Sequence, residues 1–587
     1  MAVLTAILST DPVALAEYGR VIDAMAKRLL PPGNDSEKQV HVSEERGLLV
    51  AVLGCRDHIV IRDFDILAGV TLTAGEQSPW WHLDGPVPDG SFALFRAGDF
   101  ATEAVTDYTG SKTIWHARLA CGGIVTSTCV ELIVALLGDF SVDHRALGWF
   151  LSSGTCGPRR SWDKRIKPLP PNSRLRAQKE GQTISVREVS LERPQLCDEQ
   201  VDAARLQSEL DHTMSKSCFG DKPWVLALSG GADSRAILHG TRRIQDLTCV
   251  TWVDEFLLDK PNSDLAIARL LADKTGRKHV VKVIKRPADA VMLDQALRRF
   301  MRYCDGRVDN YLAYVDGMKI WDELSSSQAG GLLRGDELFG TAFATQESQI
   351  LKNMRLISFV DYARGDEQSD LAIRHDHTIP ADLSKQPGES AASWRWRLRA
   401  DSEIPTVYAA LNSIRGRFTE VSCPLLTGNL VRLAASMSSK DLNDKALFNQ
   451  VVSGMFPDVP FASRLSILRR SDVLAIPEAT ELVLDHLGSA SARDVLGVQC
   501  ANRVSEELTK LGKDKSIKSD SHGIVATKKS SSPVWAKQIK RRFDSPPDLH
   551  LPTLGMRSYL ANVVQEEMIE AAKLGVLARN RSKRTTA

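Results

Sequence analysis

The sequence predicts an α/β protein in which a β-rich N-terminal domain precedes a doubly wound parallel sheet and a helical C-terminal part. Three observations predict this organisation. From about residue 47 to about residue 127, short β-rich runs are separated by turn residues. From about residue 220, strand patterns alternate with helix patterns. The length of 587 residues also exceeds what one hydrophobic core normally serves.

The N-terminal domain is predicted over residues 1–190. Its first segment, to about residue 30, has an amphipathic pattern that predicts a helix. The runs that follow predict an antiparallel β layer: "GLLVAVLG", "HIVIRDF", "SFALFRAG", "TEAVTDYTG", "KTIWHARL" and "GGIVTST". Two later segments, "STCVELIVALLG" and "DHRALGWFLSSG", predict helices.

The central domain is predicted over residues 200–475. The segments "PWVLALS", "LTCVTWVD", "KHVVKVI" and "GGLLRGDELFG" predict four strands with helices between them, which is typical of a parallel sheet covered on both faces. Residues 476–587 are predicted to form a helical and basic C-terminal extension. Within it, residues 510–542 carry ten basic and two acidic side chains, which suits either a solvated loop or a docking surface for an acidic partner.

Composition excludes several classes of protein. The chain is 43% apolar and 25% charged, and its net charge of +2 gives no bias toward nucleic acid. No apolar run reaches the roughly 20 residues of a membrane-spanning helix, so we expect no membrane insertion. The ten cysteines form no C-x-x-C pair, which argues against a disulfide framework or a zinc site and favours a cytoplasmic location.

The stretch "LALSGGADSRAILHG" is the most informative segment of the chain. A predicted strand ends in Ser229, Gly230 and Gly231, and a predicted helix follows. Glycines let the backbone approach a phosphate closely, and the start of a helix stabilises an anion. Ser229 and Ser234 offer hydroxyl donors. Asp233 beside phosphates indicates an intervening Mg²⁺, which binds carboxylate and phosphate oxygens together. The loop is not a Walker A motif, since no G-K-[ST] follows the glycines.

The base of a nucleotide is expected against the carboxyl ends of the strands, the usual crevice of open α/β sheets. By position, this expectation selects Ala227, Leu228, Trp252 and Gly331 as nucleotide-binding residues. Trp252 could stack on adenine or belong to the core, and the sequence leaves both possibilities open.

Four segments resemble N-type ATP pyrophosphatases, the group that contains asparagine synthetase and GMP synthetase. The glycine-rich stretch is similar to their pyrophosphate loop, and "LLRGDELFG" resembles the Gly-x-Asp-Glu-Leu-Phe-Gly segment of asparagine synthetase. "NSDLAIARLLADKTGRKHVVKVI" and "EVSCPLLTGNLVRLAASM" resemble two further segments of that family, in the family's order. The resemblance implies that ATP and Mg²⁺ are used, with Asp233 and Asp336 as catalytic metal ligands. It also makes Asp305 and Asp309 candidate substrate contacts.

The N-terminal half resembles the family's glutaminase-type domain, which implies a degenerate Ntn-type αββα fold. In that domain the nucleophile is a cysteine freed at the N-terminus, whereas this chain has Ala2. We therefore expect no glutamine hydrolysis by this route, and we expect the attacking amine to come from the substrate itself.

This pattern resembles β-lactam synthetase and the lasso-peptide cyclases, in which an acyl-adenylate is attacked by an amine of the same molecule. The resemblance implies a peptide or small-molecule carboxylate substrate and, for a lasso-peptide cyclase, a protease partner that removes a leader peptide. Two positions depart from the relatives. Leu333 stands where they carry an acid or a tyrosine, and arginines, foremost Arg464, follow "MFPDVPF" where they carry a lysine. We expect Arg464 to take the catalytic place of that lysine, because an arginine can stabilise charge although it does not readily exchange a proton. A macrolactam-forming ligase, a small-molecule amide or lactam synthetase, an asparagine-synthetase-like ligase and a non-catalytic ATP-binding scaffold therefore all remain open.

Overall fold

A computed structural model describes residues 3–585 except 33–37, 55–57, 73–78, 193–195, 197–198, 218, 220–221, 327–328, 363–376, 464–466 and 520–546. The described chain forms three β-sheets, two antiparallel and one parallel, with helices packed against them. This arrangement confirms the predicted α/β class. No helix in the described ranges is both long enough and apolar enough to cross a membrane.

The two antiparallel sheets belong to the N-terminal region. The first has, in spatial order, β10 (Lys167–Pro168), β8 (Trp115–Arg118), β9 (Ile124–Ser127), β1 (Val3–Leu8), β3 (Leu48–Leu53) and β2 (Lys38–Ser43). The second has β12 (Thr183–Ser190), β11 (Ser173–Glu180), β7 (Ala101–Thr106), β6 (Gly90–Ala97), β5 (Asp65–Thr71) and β4 (Ile59–Arg62). Their facing side chains, such as Val50 and Phe95, form one buried cluster, so the sheets stack as a sandwich.

The helices of the described residues are α1 (Pro12–Leu29), α2 (Val130–Leu137), α3 (His144–Ser153), α4 (Ala203–Lys216), α5 (Ala232–Gly240), α6 (Asp264–Thr275), α7 (Ala290–Tyr303), α8 (Lys319–Ser326), α9 (Glu347–Asn353), α10 (Ala391–Leu398), α11 (Ala409–Gly416), α12 (Gly428–Ser436), α13 (Ser439–Leu442), α14 (Ala446–Met455), α15 (Arg470–Val473), α16 (Pro477–Leu487), α17 (Ala490–Leu496), α18 (Val498–Ser519) and the C-terminal helix (Leu551–Thr585). A π-helical segment, Arg399–Tyr408, joins α10 to α11.

The outer faces of the sandwich are covered differently. Helices α1 and α2 share a buried cluster with the outer face of the first sheet. On the outer face of the second sheet, the described residues place Trp80 and Trp81 against Phe92, rather than a helical layer. The prediction that the chain opens with a helix is wrong for its first residues. The segment "VLTAIL" is β1, and it is buried throughout because it lies inside the first sheet, between β9 and β3.

The central sheet is parallel and has the order β15 (His279–Ile284), β14 (Leu247–Asp254), β13 (Trp224–Ala227), β16 (Gly331–Leu333) and β17 (Glu420–Ser422). The sequence predicted the first four strands in chain order. It did not predict β17, which has three residues.

The C-terminal helix packs on the N-terminal region as well as on the helices before it. Its apolar side chains share one buried cluster with α1, α2, α7 and α18. Arg28 of α1 pairs with Glu131 of α2 and, at 2.5 Å, with Glu567 of the C-terminal helix. Arg302 of α7 also donates to Glu567, at 2.6 Å. The predicted extension is therefore part of the packed structure, although the domain boundaries themselves stay a prediction.

A second cluster ties this region to the centre of the chain. Asp309 is 1% exposed and accepts hydrogen bonds from Arg557 at 2.7 Å, Arg470 at 2.9 Å and Arg355 at 3.3 Å. Burial opposes the charge on Asp309, but the three arginines outweigh it and lower its pKa to about 2. Asp305 is equally buried and accepts from the backbone N–H of Val130 at 3.0 Å. Both candidate substrate contacts therefore have protein partners.

Candidate active site

The carboxyl edge of the central sheet, at the junction of β13 and β16, is the candidate active site. The chain runs outward from β13 through β14 to β15, and β16 then continues on the other side of β13. In open α/β sheets, ligands bind outside the carboxyl ends of the strands at such a reversal. The glycine-rich loop after β13 and the Asp336 segment after β16 both leave the sheet at this point.

The loop after β13 is held by its own hydroxyl groups. The backbone N–H of Ser229 donates to Oγ of Ser234 at 3.0 Å, and the two hydroxyl oxygens lie 3.1 Å apart. The N–H of Gly231 donates to Ser229 Oγ at 3.3 Å. Helix α5 begins after Gly231, and no side chain in the described ranges caps it. The positive end of this helix therefore lies at the crevice, where it stabilises an anion.

The two loop glycines differ in how much room they have. A Cβ on Gly230 would lie 2.4 Å from Cβ of Ala462 and 2.9 Å from Cβ of Ile267. A Cβ on Gly231 would meet only the Ser229 hydroxyl, at 3.5 Å. Gly230 is therefore required by protein packing, whereas Gly231 leaves space beside the loop that a ligand could fill.

Asp233 lies where the loop meets the segment after β16. A Cβ on Gly335 would lie only 2.8 Å from Cβ of Asp233, so the two segments touch directly. Lys445 donates to both Asp233 oxygens, at 2.8 and 3.0 Å, and lies 2.9 Å from Oε1 of Glu337.

These contacts shift the pKa values of the charged groups. Burial raises the pKa of Asp233, Lys445 lowers it, and the neighbouring Glu337 raises it further. Burial also disfavours the charge on Lys445, but the two carboxylates outweigh it and raise its pKa, so the ammonium stays protonated.

Glu337 holds a second cation. It is fully buried, and Nη2 of Arg399 donates to its Oε1 at 2.7 Å and to its carbonyl oxygen at 3.0 Å. Burial raises the pKa of Glu337, but Arg399 and Lys445 outweigh it and the net shift is downward. On the far side of Arg399, Oε2 of Glu403 lies 3.7 Å from Nη1 of the guanidinium. Burial raises the pKa of the Glu403 carboxyl. A chain of alternating charges thus runs from the loop into the interior.

Asp336 is bound by a different set of groups. Nη2 of Arg334 lies 3.2 Å from its Oδ1, and the Cys423 thiol donates to its Oδ2 at 3.4 Å. Leu333 is 0% exposed and pairs with β13 and β17 inside the sheet. Position 333 therefore brings no polar group to this edge.

The remaining predicted nucleotide-binding residues lie at different places in the sheet. Ala227 is the last residue of β13, and the N–H of Leu228, which follows it, donates to the carbonyl of Val250 at 2.9 Å. Trp252 lies two residues further along β14, is half-buried, and has its ring centroid 5.3 Å from that of Trp321. All three stay predictions as ligand contacts.

The expected position of Gly331 requires correction. Gly331 is the first residue of β16 and pairs with Trp224, the first residue of β13, so it lies at the opposite end of these strands from the loop. A Cβ at this position would lie 2.4 Å from the Trp224 ring. Gly331 is therefore a glycine because the indole packs on it.

Two further side chains contact the loop and the segment that leads toward Arg464. Asp264, at the start of α6, accepts from the N–H of Gly230 at 3.1 Å, and the N-cap of that helix is Ser263. Arg235 donates to the carbonyl of Val459 at 2.7 Å and so fixes the segment that leads toward Arg464. Arg464 itself lies outside the described residues.

Sequence reasoning missed Lys445. It expected a lysine after "MFPDVPF" and found only arginines, whereas the structure brings a lysine to the loop from before that segment. Asp444 and Lys445 both have left-handed backbone, with φ of 54° and 58°, immediately before α14. No motif in the sequence marks this turn, because its position follows from packing.

The N-terminal sandwich contacts the central domain beside this site. Lys112 forms a buried ion pair with Glu420, the first residue of β17. Asp89 accepts from the N–H groups of Gly428, at 2.6 Å, and Asn429, at 3.1 Å, at the start of α12. Charged groups of the sandwich thus fix the edge of the central sheet.

Comparison with known proteins agrees with this geometry. Residues 205–461 match the family described as asparagine synthase, and the match spans the loop, Asp336 and Lys445. A search among curated proteins finds no match for the chain. The match supports an ATP-dependent carbon–nitrogen ligase of the asparagine-synthetase type, with ATP as the nucleotide that residues 205–461 would bind.

Proposed function

Taking the asparagine synthase domain as the premise, we propose that the protein is an AMP-forming amide ligase that closes a macrolactam on a lasso-type precursor peptide. One observation supports adenylation most directly: the loop carboxylate Asp233, the Asp336 segment and Lys445 meet at the reversal of the sheet. A carboxylate does not acylate an amine unaided, so a leaving group must first be attached to it.

The first step joins the peptide to AMP. An oxygen of an Asp or Glu side chain of the peptide attacks the α-phosphorus of ATP, and the bond to the β-phosphate oxygen breaks. The electron pair leaves with pyrophosphate. Ser229, Ser234 and the start of α5 would donate hydrogen bonds to that anion, and Lys445 would lie beside it as a fixed positive charge.

Asp233 and Asp336 have the oxygen donors that Mg²⁺ prefers. In the structure Asp233 is paired with Lys445, and Asp336 is paired with Arg334. Each carboxylate therefore already lies beside a positive charge. The described residues contain no group of three or more metal-ligating side chains, so ATP oxygens would complete the coordination. When bound, Mg²⁺ would neutralise charge on the departing pyrophosphate.

The second step forms the amide. The N-terminal amine of the same peptide attacks the acyl carbon, the bond to AMP breaks, and the amine loses a proton. Holding both ends of one molecule makes this attack effectively unimolecular. Leu333 cannot accept the proton. We propose Glu403 for this role: it ends the series of charges that begins at Asp233, lies 3.7 Å from Nη1 of Arg399, and has a carboxyl whose pKa is raised by burial.

Two buried cysteines of the N-terminal region support our expectation that the amine comes from the substrate itself. Cys129 and Cys156 are fully buried, and burial raises the pKa of these thiols to about 11 and about 12. Neither therefore offers a thiolate for glutamine hydrolysis.

ATP–pyrophosphate exchange tests the proposal. A precursor peptide with an Asp or Glu at the ring-closing position should support exchange and yield a product lighter by one water. Asp233→Ala should abolish the exchange, and Asp458→Ala, an exposed carboxylate paired with Lys274, should not. Absence of exchange with every carboxylate tried would favour a non-catalytic scaffold, and stoichiometric glutamine hydrolysis would show that the amine comes from elsewhere.

A further inference from the structure

Arg235, in the first turns of α5, is a buried guanidinium that binds backbone carbonyls. Its residue is 0% exposed, and burial lowers its pKa with no carboxylate of the described residues opposing that shift. Nη1 donates to the carbonyl of Val459 at 2.7 Å, and Nη2 donates to the carbonyl of Pro460 at 2.8 Å. A buried charge without a carboxylate is costly, so this arginine has a task that a neutral side chain would not perform.

The segment that Arg235 binds, residues 459–463, lies directly on the loop after β13. The N–H of Ala462 donates to the carbonyl of Gly230 at 3.0 Å. Nη2 of Arg235 also donates to this oxygen, at 3.4 Å. The ring centroid of Phe461 lies 4.4 Å from the central carbon of the guanidinium, which adds a cation–π contact. Arg235 makes its shorter bonds to the segment, so it acts on the loop chiefly by holding Ala462 in place.

The carbonyl of Gly230 shares a peptide unit with the N–H of Gly231. This peptide bond is trans, and a planar trans peptide directs its C=O and its N–H in opposite directions. Because the oxygen is bound by Ala462 and Arg235, the N–H of Gly231 is turned away from the segment. It donates to Oγ of Ser229 at 3.3 Å, a long bond that an anion beside the loop would replace.

We propose that Arg235 is a positioning residue that fixes the Gly230–Gly231 peptide, through residues 459–462, so that the Gly231 N–H is directed at the leaving pyrophosphate. This inference rests on the proposed function and deepens it, because it names the group that orients one donor of the loop. A donor that is held before the anion arrives needs no reorientation when charge develops. Donors on the carbonyl oxygen also polarise the peptide and strengthen its N–H as a donor.

Arg277 offers an internal comparison for this role. It also binds carbonyls next to α5, donating to Ile244 at 2.6 Å and to Thr241 at 3.2 Å. Thr241 is the C-cap of α5, so Arg277 holds the end of the helix that lies away from the loop. Loss of either arginine should lower the unfolding midpoint, whereas only loss of Arg235 should change the loop.

Titration calorimetry with inorganic pyrophosphate and Mg²⁺ on the full chain tests the proposal. Arg235→Met should weaken pyrophosphate binding by about tenfold or more, the loss expected for one hydrogen bond to a charged group. Arg235→Lys should restore part of the affinity, because an ammonium donates to carbonyls but lacks the fork of a guanidinium. Arg277→Met should have a lower unfolding midpoint and the affinity of the wild type.

A backbone variant tests the same peptide without changing the arginine. Ala462→Pro removes the N–H that donates to the Gly230 carbonyl and should weaken pyrophosphate binding as Arg235→Met does, even if Arg235→Met does not fold. Ala462→Ser keeps this N–H and should bind like the wild type.

Two results would overturn the proposal. One is wild-type affinity for pyrophosphate in Ala462→Pro or in folded Arg235→Met. The other is an equal loss of affinity in Arg277→Met, since Arg235 would then act only through the stability of the fold. The proposed function is tested separately by ATP–pyrophosphate exchange. If the wild type catalyses no exchange but binds pyrophosphate in an Arg235-dependent way, the proposed function alone fails.

Discussion

The Nζ atom of Lys445 lies 2.8 Å from Oδ1 of Asp233, although 212 positions separate the two residues in the chain. The ammonium therefore neutralises the loop carboxylate before any nucleotide is present. It would also lie beside an incoming triphosphate, whose negative charge the loop has to stabilise. We propose that Lys445 supplies the fixed positive charge that Arg464 was expected to provide.

Replacing Lys445 should impair the first chemical step. We expect Lys445→Met to lower the rate of ATP–pyrophosphate exchange by about 100-fold or more, in line with the loss of one group that stabilises developing charge. Lys445→Arg should retain part of the rate. Lys274→Met, a solvent-exposed lysine paired with Asp458, should match the wild type. Wild-type exchange in Lys445→Met would remove this lysine from the mechanism.

The two loop glycines should respond differently to alanine. Gly230→Ala forces a methyl group against Ala462 and Ile267, so we expect a lower unfolding midpoint together with lost activity. Gly231→Ala has room in the protein and should keep the midpoint. It should still weaken ATP binding, because its Cβ would occupy space that the ligand needs. Calorimetric unfolding and ATP titration measure the two effects, and equal midpoints for both variants would contradict the packing argument.

Glu403 should set the acid side of the pH profile for amide formation. Because burial raises its pKa, the rate should fall with decreasing pH at values above the ordinary range of glutamate. Glu403→Gln should lower the rate of amide formation and abolish that dependence while leaving pyrophosphate exchange intact. Single-turnover assays across pH measure this, with the surface substitution Glu323→Gln as control. An unchanged acid limb in Glu403→Gln would exclude Glu403 as the base.

Asp309 should make stability depend on acid pH. Its pKa falls from 3.8 to about 2 on folding, so its ionised form stabilises the fold above pH about 4, and this contribution of about 2 kcal/mol is lost as the pH falls toward 2. Asp309→Asn leaves three arginines without their carboxylate and should cost about 3–5 kcal/mol at neutral pH. Denaturant unfolding checks both statements. Asp458→Asn, at the surface, should change nothing measurable.

Much of the central fold could be predicted from local patterns. Strands β13 to β16 follow apolar runs that end in turn residues, and Ser229 to Ser234 form a loop because glycine and hydroxyl side chains favour one there. Strand β1 was mistaken for part of a helix, since a short run of mostly apolar residues suits either element and only the neighbouring strands decide.

The charges of the site could not be predicted in the same way. Lys445 and Arg399 come from segments without a recognisable motif, and each reaches the site through tertiary packing. Gly331 illustrates the opposite error. Its place in the chain suggested the carboxyl end of a strand, but Gly331 begins β16 and packs against the Trp224 indole, a partner that no local pattern reveals.

The packing of the C-terminal helix on α2 has a consequence for synthesis on the ribosome. At Gly575 this helix comes so close to the carbonyl of Ala135 that a Cβ would lie 2.0 Å from that oxygen. The core around α1 and α2 therefore lacks one wall until residues 551–585 have been translated. The N-terminal sandwich should expose apolar surface throughout elongation, and a nascent chain stalled before residue 551 should bind chaperones more strongly than the released protein.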